Sequence, residues 1–550
     1  MSGPPNTIEA EFANESNVRS SSSSRLIFYP FAYTLFNEYL GNHCWYCLSE
    51  STSLKRCTGC SCAYFCNQEC HLLGWKDHKI ECKGLRNLST IPNIEVRLLG
   101  RIVVRFKAIK QGKDKADPNF YLNRTSKRKI MDIWAHTEKI RQDSVAMEKF
   151  EGIYQKLVEF YGKKHLVSKD EVFELHCRDF INRHAISDKA YLQEIGKGLY
   201  LDLCAYDHSC RPNSIYTCDG FIATLRSLDN SVNLNDRTST FYSYIDLLCS
   251  KQQRHKLLKD TWYFDCRCER CMDPNDDILT SMLCPNCTEK PETLQIFGTV
   301  SYKDPVTQII KCPKCNNTVQ QGRVLEAITA MRDINRIVEN GEIEQMPKGE
   351  RIGFLKDMLK KYSQILPPIN VYFCKIVQLL ISLTDASDYK THLDLHLLTE
   401  NWIRFCLPPN HPGVALHLQN IGIFYARSGN PHRAQFYLER AQDILNFTLG
   451  PDHLMTMDNQ AHLNNTIEEV KKARRIMLGE LKSNDKVNIG SAAQKVQVVE
   501  IKKLTVSYNG DVENENGAVE TKEHVVKSMD SAYLNEDDEV DDADLPELLQ

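Results

Sequence analysis

The chain has 550 residues, 42% hydrophobic and 25% charged, with a formal net charge of -4; it is too long for a single hydrophobic core, so several domains are expected. No run of about 18 apolar residues is present to span a bilayer, and the opening stretch "MSGPPNTIEAEFANESNV" has no apolar signal core, which points to an intracellular protein of the nucleus or cytoplasm. Residues 528–550 carry nine acids and no Lys or Arg, so an acidic tail follows a mildly basic body.

Taken in chain order, residues 1–24 end in the serine run Ser20–Ser24 and read as a flexible arm. "LIFYPFAYTLF" is strand-like, and a cysteine cluster occupies 44–82. From 93 to 175, apolar residues at three- and four-residue spacing in "VRLLGRIVVRFKAI" and "FEGIYQKLVEFY" predict helices. Short β-type runs follow between about 196 and 246, cysteines return between 266 and 315, and 322–482 is again helical. In that last region Ala415, Leu418, Ile421, Gly422, Tyr425, Gly429, Ala434, Leu438 and Ala441 stand at the packing positions of a tetratricopeptide (TPR) helix pair, where small residues let two helices approach closely. "PNHPGVALHL" and "PDHLMTMDNQ" repeat Pro-x-His 42 residues apart, as a longer helical repeat would. Residues 484–550 are polar and acidic, and a disordered tail is expected.

The 22 cysteines fall mostly into clusters with metal-ligand spacing, so reduced thiolates holding zinc are expected rather than disulfides. The first cluster runs Cys44-x2-Cys47-x9-Cys57-x2-Cys60-x5-Cys66-x3-Cys70-x7-His78-x3-Cys82. Eight such ligands make two tetrahedral sites. Cys266, Cys268 and Cys271 supply only three thiolates; a structural zinc needs a fourth, for which Cys210 is the candidate. Cys284-x2-Cys287 and Cys312-x2-Cys315 form two knuckles around a strand-like insert, the pattern of a zinc ribbon over 280–316. Four zinc ions are therefore expected.

The first cluster, down to "YFCNQECHLLGWKDHKIEC", resembles the MYND finger, whose ligands interleave. The resemblance implies Cys44, Cys47, Cys66 and Cys70 on one zinc and Cys57, Cys60, His78 and Cys82 on the other, with Cys62 and His71 as bystanders. It also implies binding of proline-containing peptides, with Trp75 nearby as a packing residue. "GKGLYLDLCAYDHSCRPNS" and "TFYSYIDLL", followed by Cys-x-Cys-x2-Cys, resemble the SET lysine methyltransferases, and the domain order resembles the SMYD family. The implied fold is multidomain α+β. A β-rich SET domain is split by the finger, with its first part at 25–43, a helical insert at 93–175 and its core at 176–248; a post-SET zinc site spans 249–275 and joins Cys210 to the Cys266 cluster, ahead of the ribbon and a TPR-like helical domain at 322–482. The implied cofactor is S-adenosylmethionine (SAM), with Tyr244 catalytic and Asn182, Asp207, His208 and Phe264 facing the cofactor beside Tyr263.

Four departures bear on activity. Residues 1–40 contain no Gly-x-Gly turn, Asp207 replaces the motif's leading Asn, "NDRTST" at 235–240 replaces Gly-Glu-Glu, and Arg124 and Ser126 stand where cofactor-facing polar residues are usual. A segment preceding the present start would complete the pocket if it carried the glycine turn. Two readings follow: a protein-lysine methyltransferase with weakly held SAM acting on histone or other proteins, or a catalytically impaired zinc scaffold that recruits partners. A monomer is expected. The basic stretch "KQGKDKADPNFYLNRTSKRK" comes without a base-reading motif, so direct nucleic-acid binding is not expected.

Overall fold

The computed structural model describes residues 24–87, 90–114, 128–190, 193–287, 292–294, 310–478 and 547–549. The N-terminal half is organised by two strands that find their partners far along the chain. β1 (Arg25–Phe28) pairs with a strand at Ile222–Ser227, and β2 (Ala32–Leu35) pairs with one at Glu194–Leu199. The stretch between β2 and residue 182 is inserted into a sheet domain. The insertion begins with the finger: β3 (Lys55–Cys57), β4 (Tyr64–Phe65) and helix α1 (Gln68–Asn87).

Four helices follow: α2 (Ile94–Lys110), α3 (Thr137–Gln142), α4 (Ser144–Tyr161) and α5 (Lys169–Asn182). Their starts are set by local chemistry. The Asn93 side chain accepts from the Val96 amide to cap α2, and Ser168 and Glu171 close a capping box on α5. The α2 apolar stripe, including Leu98, Leu99, Ile102 and Val103, is fully buried.

The sheet domain then resumes earlier than its sequence pattern indicates, at β5 (Arg183–Ser187), directly after α5. β6 (Glu194–Leu199), β7 (Asp207–His208), β8 (Ser214–Asp219), β9 (Ile222–Ser227) and β10 (Phe241–Tyr242) complete it. The strand orders are β1-β9-β8 and β2-β6-β5, with a separate parallel pair of β7 and β10. α6 (Lys251–Trp262) starts on a Ser250–Gln253 capping box, and short α7 (Glu269–Met272) carries Cys271, the last cysteine of the second cluster. β11 (Met282–Leu283) pairs with β12 (Thr293–Leu294) beside the ribbon cysteines.

The C-terminal half is helical: α8 (Gln321–Glu339), α9 (Lys348–Tyr362), α10 (Val371–Leu383), α11 (Tyr389–Cys406), α12 (Pro412–Arg427), α13 (Pro431–Thr448) and α14 (Leu454–Met477). The small residues expected of a TPR pair lie at the α12–α13 contact. Ala415, Ile421, Ala434, Leu438 and Ala441 are buried, and a methyl group added at Gly422 would come within 2.7 Å of the Leu438 side chain. The two Pro-x-His repeats serve one purpose, since His411 and His453 each cap a helix, accepting from the Gly413 and Met455 amides.

One expectation is corrected. The stretch 484–550 is not all unpaired tail, because β13 (Leu548–Leu549) pairs antiparallel with β3 of the finger. Two consecutive leucines following the acids give that segment apolar side chains, and Leu548 is half-buried against the finger. Residues 1–23 of the expected arm, Arg124 and Ser126, most of the ribbon insert and the rest of the tail lie outside the described residues.

Candidate zinc centres and active site

The structure gathers the sixteen expected ligands into four groups of four: Cys44, Cys47, Cys66, Cys70; Cys57, Cys60, His78, Cys82; Cys210, Cys266, Cys268, Cys271; and Cys284, Cys287, Cys312, Cys315. Within each group the ligand atoms lie inside 4.8 Å of one another. A tetrahedral zinc with bonds of about 2.3 Å sets its sulfurs roughly 3.8 Å apart. The sulfurs of Cys47 and Cys66 are 3.6 Å apart, those of Cys57 and Cys82 4.0 Å, those of Cys210 and Cys271 3.6 Å, and both measured ribbon pairs 3.8 Å. Cys60 Sγ stands 3.6 Å from His78 Nε2. None of the 22 cysteines is in a disulfide. The donor chemistry and spacing fit zinc at all four centres.

The finger is welded to the domain it interrupts. The Tyr33 hydroxyl donates to the Tyr46 carbonyl at 2.8 Å, and the Tyr33 ring stacks on Phe221 at 4.8 Å. From α1, the fully buried Glu81 carboxylate receives both Arg101 guanidinium arms at 2.7 Å, while Arg101 also donates to the Tyr33 carbonyl. That pairing holds the Glu81 carboxyl below the usual range despite its burial. Trp75 is buried and packs edge-on to His71 and His78, as a packing residue does. His71 lies buried beside the second set of finger ligands and outside it.

The motif loop 206–213 is threaded through the parallel pair β7 and β10. The Asn213 side chain fixes it: Oδ1 accepts from the Phe241 backbone amide at 2.8 Å and Nδ2 donates to the Ser239 carbonyl at 2.7 Å. The Tyr244 amide donates to His208 Nδ1 at 3.0 Å, which leaves the proton on Nε2, 3.2 Å from the Cys210 sulfur. One histidine thus joins the Tyr244 backbone to the third metal centre. The Tyr244 hydroxyl donates to the Tyr206 carbonyl at 2.8 Å, and its ring packs against Tyr242, His208 and Trp262. Burial first, and then the negative charge of Asp207, push this phenol well above its ordinary value of 10.0. It stays protonated at neutral pH.

Asn182, at the end of α5, donates to the Trp134 carbonyl at 2.7 Å. Trp134 is 72% exposed and stacks on His136, whose ring in turn meets Tyr263 edge-on at 6.1 Å. His136 and Tyr263 both hold left-handed backbone conformations, with φ of 47° and 59°, a conformation that costs a non-glycine residue energy. Phe264 is near His208 instead, 6.3 Å between rings. Asp207 is exposed. The expected site residues therefore form two neighbouring sets: Tyr244, His208 and Phe264 around the motif loop, and Asn182 with the Trp134 wall.

Three residues of this site were not singled out from sequence: Tyr206, Trp262 and Arg270. Arg270 ties the third metal centre to the helical domain, donating to the Leu247 carbonyl at 3.0 Å and to the Cys406 carbonyl at 3.1 Å. Arg270 and Arg254 share the buried Asp276 carboxylate at 2.7 Å each. Between the motif loop, the 264–270 segment and residues 404–410 lies a cavity of about 800 Å³, bordered by Asn213, Phe264, Arg267 and Asn410.

A sheet domain split by a zinc finger, closed by a thiolate cluster and backed by paired helices defines a SET and MYND architecture. The MYND finger family model matches residues 44–82. The chain is 24% identical to the human "Histone-lysine N-methyltransferase SMYD3" over 450 residues, 78% of this chain and 89% of that protein. It is 30% identical to the human "N-lysine methyltransferase SMYD2" over 256 residues, 45% and 54% of the two chains, and 29% identical to the Danio rerio "N-lysine methyltransferase SMYD2-A" over 279 residues, 50% and 60%. Along most of its length the chain is similar to the SMYD methyltransferases, and its finger matches the MYND model.

Proposed function

We propose that the protein is a protein-lysine N-methyltransferase whose reaction centre is built on Tyr244 and the Tyr206 carbonyl, and whose MYND finger docks protein partners. The observation that carries the reading is the 2.8 Å hydrogen bond from the Tyr244 hydroxyl to the Tyr206 carbonyl, on a loop clamped by His208 and Asn213. The SET machinery would comprise 25–43, 176–248 and 249–275, with the four metal centres holding zinc. The thiolate centres and the absence of disulfides suit a reducing compartment, nucleus or cytoplasm.

The residues present fit SAM at two of its parts. The Tyr206 carbonyl and the Tyr244 hydroxyl are oxygen groups suited to a cationic ligand, and the exposed Trp134 ring beside Asn182 suits a planar base. SAM, when bound, supplies an electrophilic methyl group on a sulfonium. The chain's part is positional. The protonated Tyr244 hydroxyl and the Tyr206 carbonyl orient a lysine amine, and neither group is basic enough to remove its proton, which leaves to water.

The test joins calorimetric SAM binding with transfer of a labelled methyl group to histone and peptide-array lysines. The expected result is transfer by the intact protein, lost at least a hundredfold in Tyr244→Phe while SAM affinity stays within about threefold. Intact protein that binds no SAM and labels no lysine overturns the reading.

A further inference from the structure

The described segment nearest the end of the sequence lies on the finger. Leu548 pairs with Cys57 and Leu549 with Arg56 in antiparallel register, and the Thr58 amide donates to the Glu547 carbonyl at 2.9 Å. β3 is therefore flanked on both edges, by β4 on one side and β13 on the other. Without β13, the outer edge of β3 is an open row of backbone donors and acceptors, the kind of edge to which an extended peptide adds as a strand. The edge is also rigid, because Cys57 within it belongs to the second set of finger ligands.

Two further observations fit an extended, acidic occupant. β3 carries Lys55 and Arg56, while the 528–550 stretch carries nine acids and no base. Leu548 is half-buried against the core that contains Leu54, Cys57 and Phe65, so the pairing has a side-chain anchor as well as a ladder. The arriving sequence is Asp544-Leu-Pro-Glu-Leu-Leu549, with a proline just ahead of the paired residues. That is the chemistry of the peptides the finger is proposed to dock.

We propose that Glu547–Leu549 occupies, in cis, the edge at which the finger takes acidic, proline-containing peptides, so that a partner must displace the chain's own strand. This rests on the peptide-docking reading of the finger. Residues 479–546 connect the strand to the helical domain, a tether long enough to reach the finger and short enough to hold the strand at an effective concentration on the order of 1 mM. For a strand whose own untethered affinity for the edge is about 100 μM, such tethering weakens binding of a competing peptide roughly tenfold.

The experiment uses the zinc-loaded full chain, the Leu548→Pro variant, and a chain lacking residues 541–550, with a labelled peptide of sequence DDADLPELLQ as probe. The probe should bind both altered chains about tenfold more tightly than the intact one, and the Thr58 amide should exchange at least tenfold faster in them. Equal Thr58 exchange in intact and shortened chains overturns the proposal. Faster exchange without probe binding to any form leaves the strand contact standing but sinks the docking reading of the edge, and the competition with it. Thr58 protection that fades on dilution of the intact protein assigns the strand to a second copy and overturns the arrangement in cis.

Discussion

In the proposed cofactor site, Asp207 stands where the resembled motif carries an asparagine. An ionised carboxylate accepts hydrogen bonds but donates none, whereas the asparagine usual in this motif does both. Its charge adds to burial, the larger cause, in raising the Tyr244 phenol above its ordinary value. Restoring one donor to a charged ligand is worth about 1.5–3 kcal/mol, so Asp207→Asn should tighten SAM binding roughly ten- to hundredfold by calorimetry. Weaker binding in that variant would make the acid an adapted ligand. His411 poses a question of pH. Burial pushes it down to about 4 from its ordinary 6.5, and it caps α12 as a neutral acceptor. Its folded value lies below its unfolded one, so the stabilisation is complete above about 6.5 and is lost as pH falls toward 4. The slope in that window is about 1.4 kcal/mol per pH unit. His411→Asn keeps an acceptor at the cap and removes the titration. The drop in melting temperature between pH 7 and pH 5 should therefore be smaller in the variant, while pH effects on the zinc ligands cancel in the comparison.

At the scale of elements, what sets the third metal centre against the helical domain is the Arg254–Asp276–Arg270 triad. Removing the shared anion leaves two buried guanidinium groups opposed, a loss of about 3–5 kcal/mol. Asp276→Asn should accordingly release zinc from the Cys210 centre faster under a chelator, with the finger zincs unaffected. Cys210→Ser should lose that one zinc outright by elemental analysis; unchanged metal content would mean that Cys210 is not the fourth ligand. These elements were unequally legible in the sequence. Cysteine spacing is a local signal, so the eight finger ligands and the two ribbon knuckles could be grouped from sequence, and the TPR positions followed from periodicity ending in Ala434, Leu438 and Ala441. Arg270 could not be read, because its partner at Cys406 lies 136 residues away and an arginine beside a cysteine cluster has no periodicity of its own. The same holds for the Tyr206 carbonyl, a backbone atom that composition cannot mark. Leu548 and Leu549 were hidden by the acids before them, which set the character of the whole segment.

For the whole molecule, the metal count is the most direct measure: four zinc ions per chain by elemental analysis of protein prepared without chelator, with two or fewer contradicting the assignment. The order in which the chain emerges during synthesis adds a constraint. β1 at residues 25–28 pairs with residues 223–226, and β2 at 32–35 with 196–199. At about 5–20 residues per second, a ribosome takes roughly 10–40 s to deliver those partners. Through that interval two apolar strands wait with open edges. The finger directly follows them, can close on zinc as soon as residue 82 is clear, and grips β2 through the bond from Tyr33 to the Tyr46 carbonyl. Zinc supply during translation thus becomes a condition for keeping the first strands from pairing with the wrong chain, long before any methyl group is at stake.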